Sequence, residues 1–288
     1  MDLERFVLAN ETAIRLGFFL AVLLLIGLWE IAAPRRALTA SKSMRWTSNL
    51  SIVALNTVLL RLALPLAATG VAAIAAANGW GLLNHLQLPT WLAVPLAVIA
   101  MDFVIWLQHL MMHAVPALWH LHRVHHADLD YDVTTGSRFH PIEISLSMLI
   151  KVATITLLGP PVLAVVIFEV LLNATAMFNH GNIRIPAIVD GALRWFVVTP
   201  DMHRVHHSVQ EDETDSNFGF NLPWWDRVFG TYKAQPRAGH VGMKIGIRGH
   251  RNPREVARLD GMLLMPFRGE VHGAAVDPRD RRSEHAAR

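Results

Sequence analysis

Five apolar runs set the first limit on what this chain can fold into: Leu16 to Ala33, Leu50 to Ala77, Trp91 to Met112, Ile144 to Leu158 and Val162 to Phe178. A helix needs about 20 apolar residues to cross the hydrocarbon of a bilayer, and several of these runs approach that length. Only 17% of the residues are charged while 52% are hydrophobic, whereas soluble domains carry about a quarter charged residues. An ordinary soluble enzyme is thereby excluded. The pattern predicts an all-α integral membrane protein of about four to five transmembrane helices.

Charge placement orients the runs. Arg35, Arg36, Lys42 and Arg45 follow the first run and are expected to hold its C-terminus in the cytoplasm. Asp2, Glu4 and Glu11 before it disfavour a cleaved signal peptide. Residues 78–90 contain no Lys or Arg, as expected of a short external loop, and Gly159-Pro160-Pro161 breaks the last two runs into a hairpin. Of the 26 basic residues, 16 lie from Arg184 onward. The C-terminal part is therefore expected in the cytoplasm, and the expected location is the bacterial inner membrane. The basic residues lack the motif context of nucleic-acid readers, so no nucleic-acid partner is expected. From about Ala234 the chain is polar and Arg-rich, and a loosely ordered end is expected. Arg61, alone in the second run, reads equally as a functional intramembrane charge or as a side chain reaching an interface.

Sixteen histidines stand against no cysteine, which removes thiolate ligation and Cys-held clusters. Most of them cluster. His109 and His113, in HLMMH, are about 40° apart on a helical wheel and share a face. Asp102, seven residues earlier, falls close to that face and is a candidate to orient an imidazole. Pro116 can open a helix on which His122, His125 and His126 of HRVHH occupy i, i+3 and i+4, so that three ring nitrogens could converge on a metal; His120 lies nearly opposite and is excluded. The same five letters return after Thr199-Pro200 with His203, His206 and His207. Eight histidines exceed what one ion uses, so two metals are expected. All three clusters fall on one predicted face, which completes the expected fold with a cytosolic helical cap carrying a histidine-rich di-metal site.

Imidazole suits iron, copper and zinc alike. A site beside the membrane core faces alkyl chains, and breaking an unactivated C–H bond is beyond side-chain acids and bases. Two iron ions using O2 are the expected cofactors, with zinc able to replace iron in preparations. Candidates to orient imidazole N–H groups, besides Asp102, are Glu143, Asp201 and Asp226. Glu169, Asn173 and His180 share one face of the last span as polar groups in an apolar helix. Trp224, Trp225 and Phe229 suit an interfacial aromatic belt.

HLMMH, the two HRVHH boxes, RFHPIE at 138–143 and NFGFNLPWWDRVFGTY at 217–232 together resemble the fatty acid hydroxylase/sterol desaturase superfamily over roughly residues 102–232. The resemblance implies a membrane-bound non-haem di-iron oxygenase that hydroxylates a lipid (fatty acyl, sterol-like, carotenoid or ether lipid), or desaturates one on the same site. It implies as metal ligands His109, His113, His122, His125, His126, His203, His206 and His207, with His180 of FNHGN as a ninth. His140 of RFHP fits a role beside the site rather than in the ligand set. Three parts follow: transmembrane helices over 1–90, a hydroxylase-like catalytic domain over 91–233, and a basic polar cytosolic tail over 234–288. The chain carries no Gly-rich dinucleotide fingerprint and no cluster-forming cysteines, so an external electron donor is implied, a ferredoxin or a cytochrome with its reductase. Two departures from the family pattern stand out: Leu110 where many members have arginine, and Arg184 where some have a further histidine. A zinc hydrolase is disfavoured because HLMMH lacks the glutamate of HExxH, and a non-catalytic metal-binding or transport protein because the ionisable residues concentrate on one side.

Overall fold

A computed structural model describes residues 3–64 and 66–268, and every described element is helical or a turn, apart from two isolated bridges. After a short α1 (Leu3–Ala9) comes α2 (Glu11–Ala32), whose buried residues are Ile26, Gly27 and Glu30. Leu24, Leu25 and Ile31 on the same helix are more than 60% exposed. In water that would be a large unburied apolar surface, whereas in a bilayer the solvent is itself hydrocarbon.

The second apolar run was expected to make one helix. It makes two, α3 (Lys42–Ala63) and α4 (Ala67–Ala77), separated where the sequence reads Leu64-Pro65-Leu66. Proline removes a helical N–H and clashes with the preceding turn, which explains the interruption. Arg61 is exposed in the last turn of α3, next to this break. A single turn α5 (Leu82–Leu86) leads into α6 (Thr90–Ala114), and α7 (Pro116–His126) follows with its proline at the first turn. The predicted hairpin is α8 (Pro141–Leu158) and α9 (Val162–Asn179). Among the described residues, five segments are long and apolar enough to span: α2, the broken stretch through α3 and α4, α6, α8 and α9.

The ends of the bundle are built differently. Opposite the histidines, Gly81 (φ +89°) and Gly159 (φ +63°) pack backbone to backbone, and a Cβ on Gly81 would lie 2.2 Å from the Gly159 nitrogen. At the histidine end, ionic straps close the structure. Arg45 of α3 reaches Asp128 at 2.6 Å and Asp132 at 2.5 Å, all three fully buried. Asp130 accepts from the Thr39 and Ala40 nitrogens, and Glu30 accepts from those of Val133 and Asn182.

Short helices complete that end: α10 (Ala187–Leu193), α11 (Pro200–His206), α12 (Glu211–Thr214), α13 (Trp224–Val228), α14 (Gly239–Gly242), α15 (Pro253–Val256) and α16 (Leu259–Leu264). Thr199 caps α11 by accepting from the Met202 nitrogen, as the sequence predicted. Residues 253–267 pack on α7: Arg123 Nη2 donates to the Met265 carbonyl, and Val256, Ala257 and Met262 are fully buried. The expected loose end of the chain, from residue 269, lies outside the described residues.

Candidate metal centre

Nine histidines meet at one end of this bundle, and none is more than 2% exposed. They form two groups whose facing ring atoms lie within 4.8 Å of one another: His109, His113, His122, His126 and His206 in the first, His125, His180, His203 and His207 in the second. The groups abut, with the His126 and His207 rings stacked at 4.4 Å.

The division corrects the expectation that each HRVHH box converges on one point. Within each box the i and i+4 histidines serve one group and the i+3 histidine serves the other. His122 and His126 enter the first group and His125 the second, while His203 and His207 enter the second and His206 the first. Helical geometry is the cause: i and i+4 differ by about 40° around the axis, whereas i+3 falls on the opposite flank of i.

Tautomers decide what these groups can hold. His109 Nδ1 lies 2.7 Å from the Phe218 carbonyl and His206 Nδ1 2.7 Å from the Ser216 carbonyl. A carbonyl only accepts, so in each neutral ring Nδ1 carries the proton and Nε2 a lone pair. The two Nε2 atoms are 3.0 Å apart. His122 Nδ1 donates to Glu143 at 2.6 Å and turns its Nε2 to within 3.1 Å of that of His109. His180 Nδ1 donates to the Ala176 carbonyl, and its Nε2 faces those of His125 and His207 at 3.2 and 3.1 Å. Facing lone pairs repel unless a cation lies between them. Donors about 2.1 Å from one ion and at right angles to each other would be about 3.0 Å apart, which is the spacing seen. Burial pulls the imidazoles of His125, His126, His203 and His207 well below their usual range, neighbouring imidazoles add to this, and His206 is pulled down to about 3. The rings are therefore neutral near pH 7, the state a metal requires. The donor set fits two ions.

Of the carboxylates predicted to orient imidazoles, Glu143 alone touches one of the nine clustered rings. Asp102 instead accepts from Trp225 Nε1 at 2.8 Å and the Leu222 nitrogen, and Asp226 from Trp106 Nε1 at 3.0 Å and the Phe218 and Gly219 nitrogens at 2.9 Å. Both fasten the 217–222 loop, whose Phe218 carbonyl in turn orients His109. Asp201 pairs with Arg35 at 3.0 Å and with Arg204. His140 caps α8 and meets the Leu263 carbonyl at 3.2 Å. His120, excluded from the ligand set, contacts the Pro266 carbonyl. Sequence reasoning missed Asp215, 3.2 Å from His113 Nδ1, which lies in a loop without periodicity. It also missed Asp128, Asp130 and Asp132, whose alternation directly after the first HRVHH box was the available signal.

A cavity of about 290 Å³ runs from His109 and His122 into the bundle, between apolar walls that include Ile105, Phe139 and Phe220. Its far part is charged. Glu169 lies 2.8 Å from Lys151 and 2.9 Å from Arg15, Arg15 also pairs with Glu11, and Asn173 donates to the Glu169 carbonyl. Trp225 tilts against Phe103 at 5.0 Å and Phe229 stacks on Trp106 at 4.7 Å, which places these predicted belt aromatics against α6.

The family described as fatty acid hydroxylase matches residues 94–231. The ornithine lipid hydroxylase OlsE of Rhizobium tropici is 28% identical over 65% of this chain and 55% of its own length. The alkylglycerol monooxygenases of Xenopus tropicalis and Homo sapiens are 32% and 27% identical over about half of this chain, and 34% and 31% of their own lengths. The chain thus spans about half or less of the curated relatives it matches. No solved structure matches. Residues 94–231, which carry all three histidine boxes and most of the segment that follows them, are thus similar to the fatty acid hydroxylase family.

Proposed function

We propose that the protein is a membrane-bound non-haem di-iron oxygenase that hydroxylates a C–H bond of a lipid with O2 and electrons from an external donor. The observation that carries this reading is the double set of facing imidazole lone pairs at the mouth of a cavity between membrane helices. His109, His113, His122, His126 and His206 would hold one iron, and His125, His180, His203 and His207 the other. Irons bound there would supply the activation of O2 that attack on an unactivated alkyl carbon requires. Overall, one oxygen atom enters the lipid as an alcohol and the other leaves as water, which consumes two electrons and two protons.

The chain's own part is to hold, orient and exclude. Glu143 and the carbonyls of Phe218, Ser216 and Ala176 keep four imidazoles in the Nδ1-protonated form. Ile105, Phe139 and Phe220 keep an alkyl chain dry against His109 and His122. Lys151, eight residues beyond Glu143 on α8, lies about 12 Å further along the helix. A cavity with charged groups at that depth suits a lipid with polar groups beyond its hydrocarbon, and relatives named for ornithine lipid and alkylglycerol support this class. The absence of Lys and Arg from residues 78–90 and 159–161 supports a cytoplasmic histidine end in a bacterial inner membrane, where a ferredoxin or cytochrome would dock. Residues 91–233 would be the catalytic part, with 1–90 as its membrane helices and 234–288 as a cytoplasmic tail.

Lipid extracts from cells that express the chain with a redox partner, grown under labelled O2, test the proposal against a His125→Ala control. A lipid gaining one labelled oxygen only with the unaltered chain is the expected result. Loss of two hydrogens without label would replace hydroxylation by desaturation, and identical lipidomes would overturn the reading.

A further inference from the structure

A second cleft, of about 490 Å³, opens at the histidine end between α10 and the segment around α13, away from the lipid cavity. Four arginines line it, Arg35, Arg184, Arg194 and Arg227, against two carboxylates, Asp190 and Asp201. Both carboxylates are already engaged: Asp190 with Arg194 Nε at 2.7 Å, Asp201 with Arg35 and Arg204. The exposed Arg184 has no carboxylate within ion-pair distance among the described residues. The Arg227 guanidinium is held between the Trp195 and Tyr232 rings, 4.1 and 4.2 Å from their centres, again without a carboxylate. Arg194 is 4% exposed, yet its Nη2 has no acceptor, nor has Arg227 Nε.

Two features make this arrangement ask for a ligand. A buried donor left without an acceptor is destabilising, and an anion with several oxygens would satisfy these donors together. The cleft also borders an outward apolar surface. On and beside α10 and α13, Ile188 is 90% exposed, Phe196 71% and Val228 71%. Trp224 Nε1 donates to the Trp195 carbonyl at 2.7 Å, which ties the two short helices into one face. Apolar side chains beside a basic cleft, at the end of a transmembrane bundle, match the layering of acyl chain and headgroup in a membrane.

We propose that this cleft binds the phosphate of an anionic membrane lipid, whose acyl chains lie over the Ile188, Phe196 and Val228 surface. The lipid would be a bound structural ligand, held apart from the cavity that leads to the histidines.

The test uses the full-length, metal-loaded protein in a neutral detergent, with thermal unfolding followed as three probes are titrated: dioleoyl phosphatidylglycerol, dioleoyl phosphatidylcholine and inorganic phosphate. Phosphatidylglycerol should raise Tm saturably and the other two should not. Arg184→Glu should weaken the apparent affinity for phosphatidylglycerol about thirtyfold, since it removes one positive charge and adds one negative charge, each worth about 1 kcal/mol near an anionic surface. Arg184 is exposed, so this variant keeps the fold, and an unchanged metal-to-protein ratio checks that it does. Arg184→Glu combined with Arg227→Gln should abolish the shift. Equal affinity in unaltered and altered proteins would overturn the site, an equal response to phosphatidylcholine would overturn the charge requirement, and a full shift with phosphate alone would overturn the lipid as its source.

Discussion

The Nε2 atoms of His109 and His206 face each other across 3.0 Å, and each ring spends its only proton on a backbone carbonyl at its other nitrogen. Among the described residues, no side chain donates a proton between them to relieve that opposition. The pair comes from helices almost a hundred residues apart in sequence, so the repulsion loads the tertiary fold and not one local turn. Stripping the protein with a chelator should therefore lower its Tm, and adding ferrous ion should restore it, because a ligand that binds the folded state stabilises it by mass action. Calorimetry in detergent measures both steps. An unchanged Tm would mean that the rings do not hold metal.

Glu143 is the one predicted carboxylate that grips an imidazole of the metal centre. Glu143→Gln keeps the shape but removes the charge that favours a proton on His122 Nδ1. Changes at such partners cost about 10- to 100-fold in metal affinity or activity. Competition with a metal-chelating dye should show a loss in that range, whereas Glu143→Asp, which keeps the charge, should recover part of it.

Gly136 contributes by lacking a side chain. A Cβ there would lie 2.4 Å from the Ala176 carbonyl oxygen and 3.1 Å from His180 Nδ1. Gly136→Ala must push away the carbonyl that fixes the His180 tautomer. Bound metal should fall measurably in elemental analysis of this variant, with little change in helix content by circular dichroism.

Lys151 and Glu169 pose a question that a paired substitution answers. Removing one member of a buried ion pair typically costs about 3–5 kcal/mol, whereas replacing both by apolar residues is often neutral. Lys151→Met with Glu169→Leu leaves Arg15 paired with Glu11. This double variant should fold and hold metal, while Glu169→Leu alone, which strands Lys151, is destabilised; Lys151→Met alone leaves Glu169 its Arg15 partner. If the charges receive the polar part of the lipid, the double variant should raise KM at least tenfold with a smaller change in kcat.

His240 makes stability depend on pH. Burial pulls its imidazole down to about 4; Asp201 opposes the shift, and Arg204, Arg35 and Arg194 reinforce it. The folded value lies below the unfolded one, so the unfolded chain binds more protons between roughly pH 6.5 and 4. The contribution is fully present above pH 6.5 and is lost as pH falls toward 4. His240→Gln should flatten that fall, visible as a Tm gap between the variant and the unaltered protein that changes in the variant's favour from pH 7 to 4.5.

Much of this was legible beforehand because it follows from helical periodicity. The apolar runs became α2, α3 with α4, α6, α8 and α9, and the i, i+3, i+4 spacing brought out the histidines that converge. What was not legible depends on how separate helices meet. The wheel shows that His125 leaves the line of His122 and His126, but not that a second group awaits it, because His180, His203 and His207 arrive from other elements. Asp102 and Asp226 were misassigned for a related reason. Proximity to a box on the wheel cannot tell a carboxylate that meets an imidazole from one that meets the indole of Trp225 or Trp106. Pro65 was visible, yet the break in the second run follows from local backbone chemistry that hydropathy averages away.

Because each HRVHH box lends rings to both groups, α7 and α11 act as shared crossbars. An ion that draws His122 and His126 together sets the pitch of the helix that also presents His125, and the same holds for His206 with His203 and His207. Loading should consequently be cooperative. As iron is titrated into stripped protein, native mass spectra should pass from empty to doubly filled with little singly filled species between them.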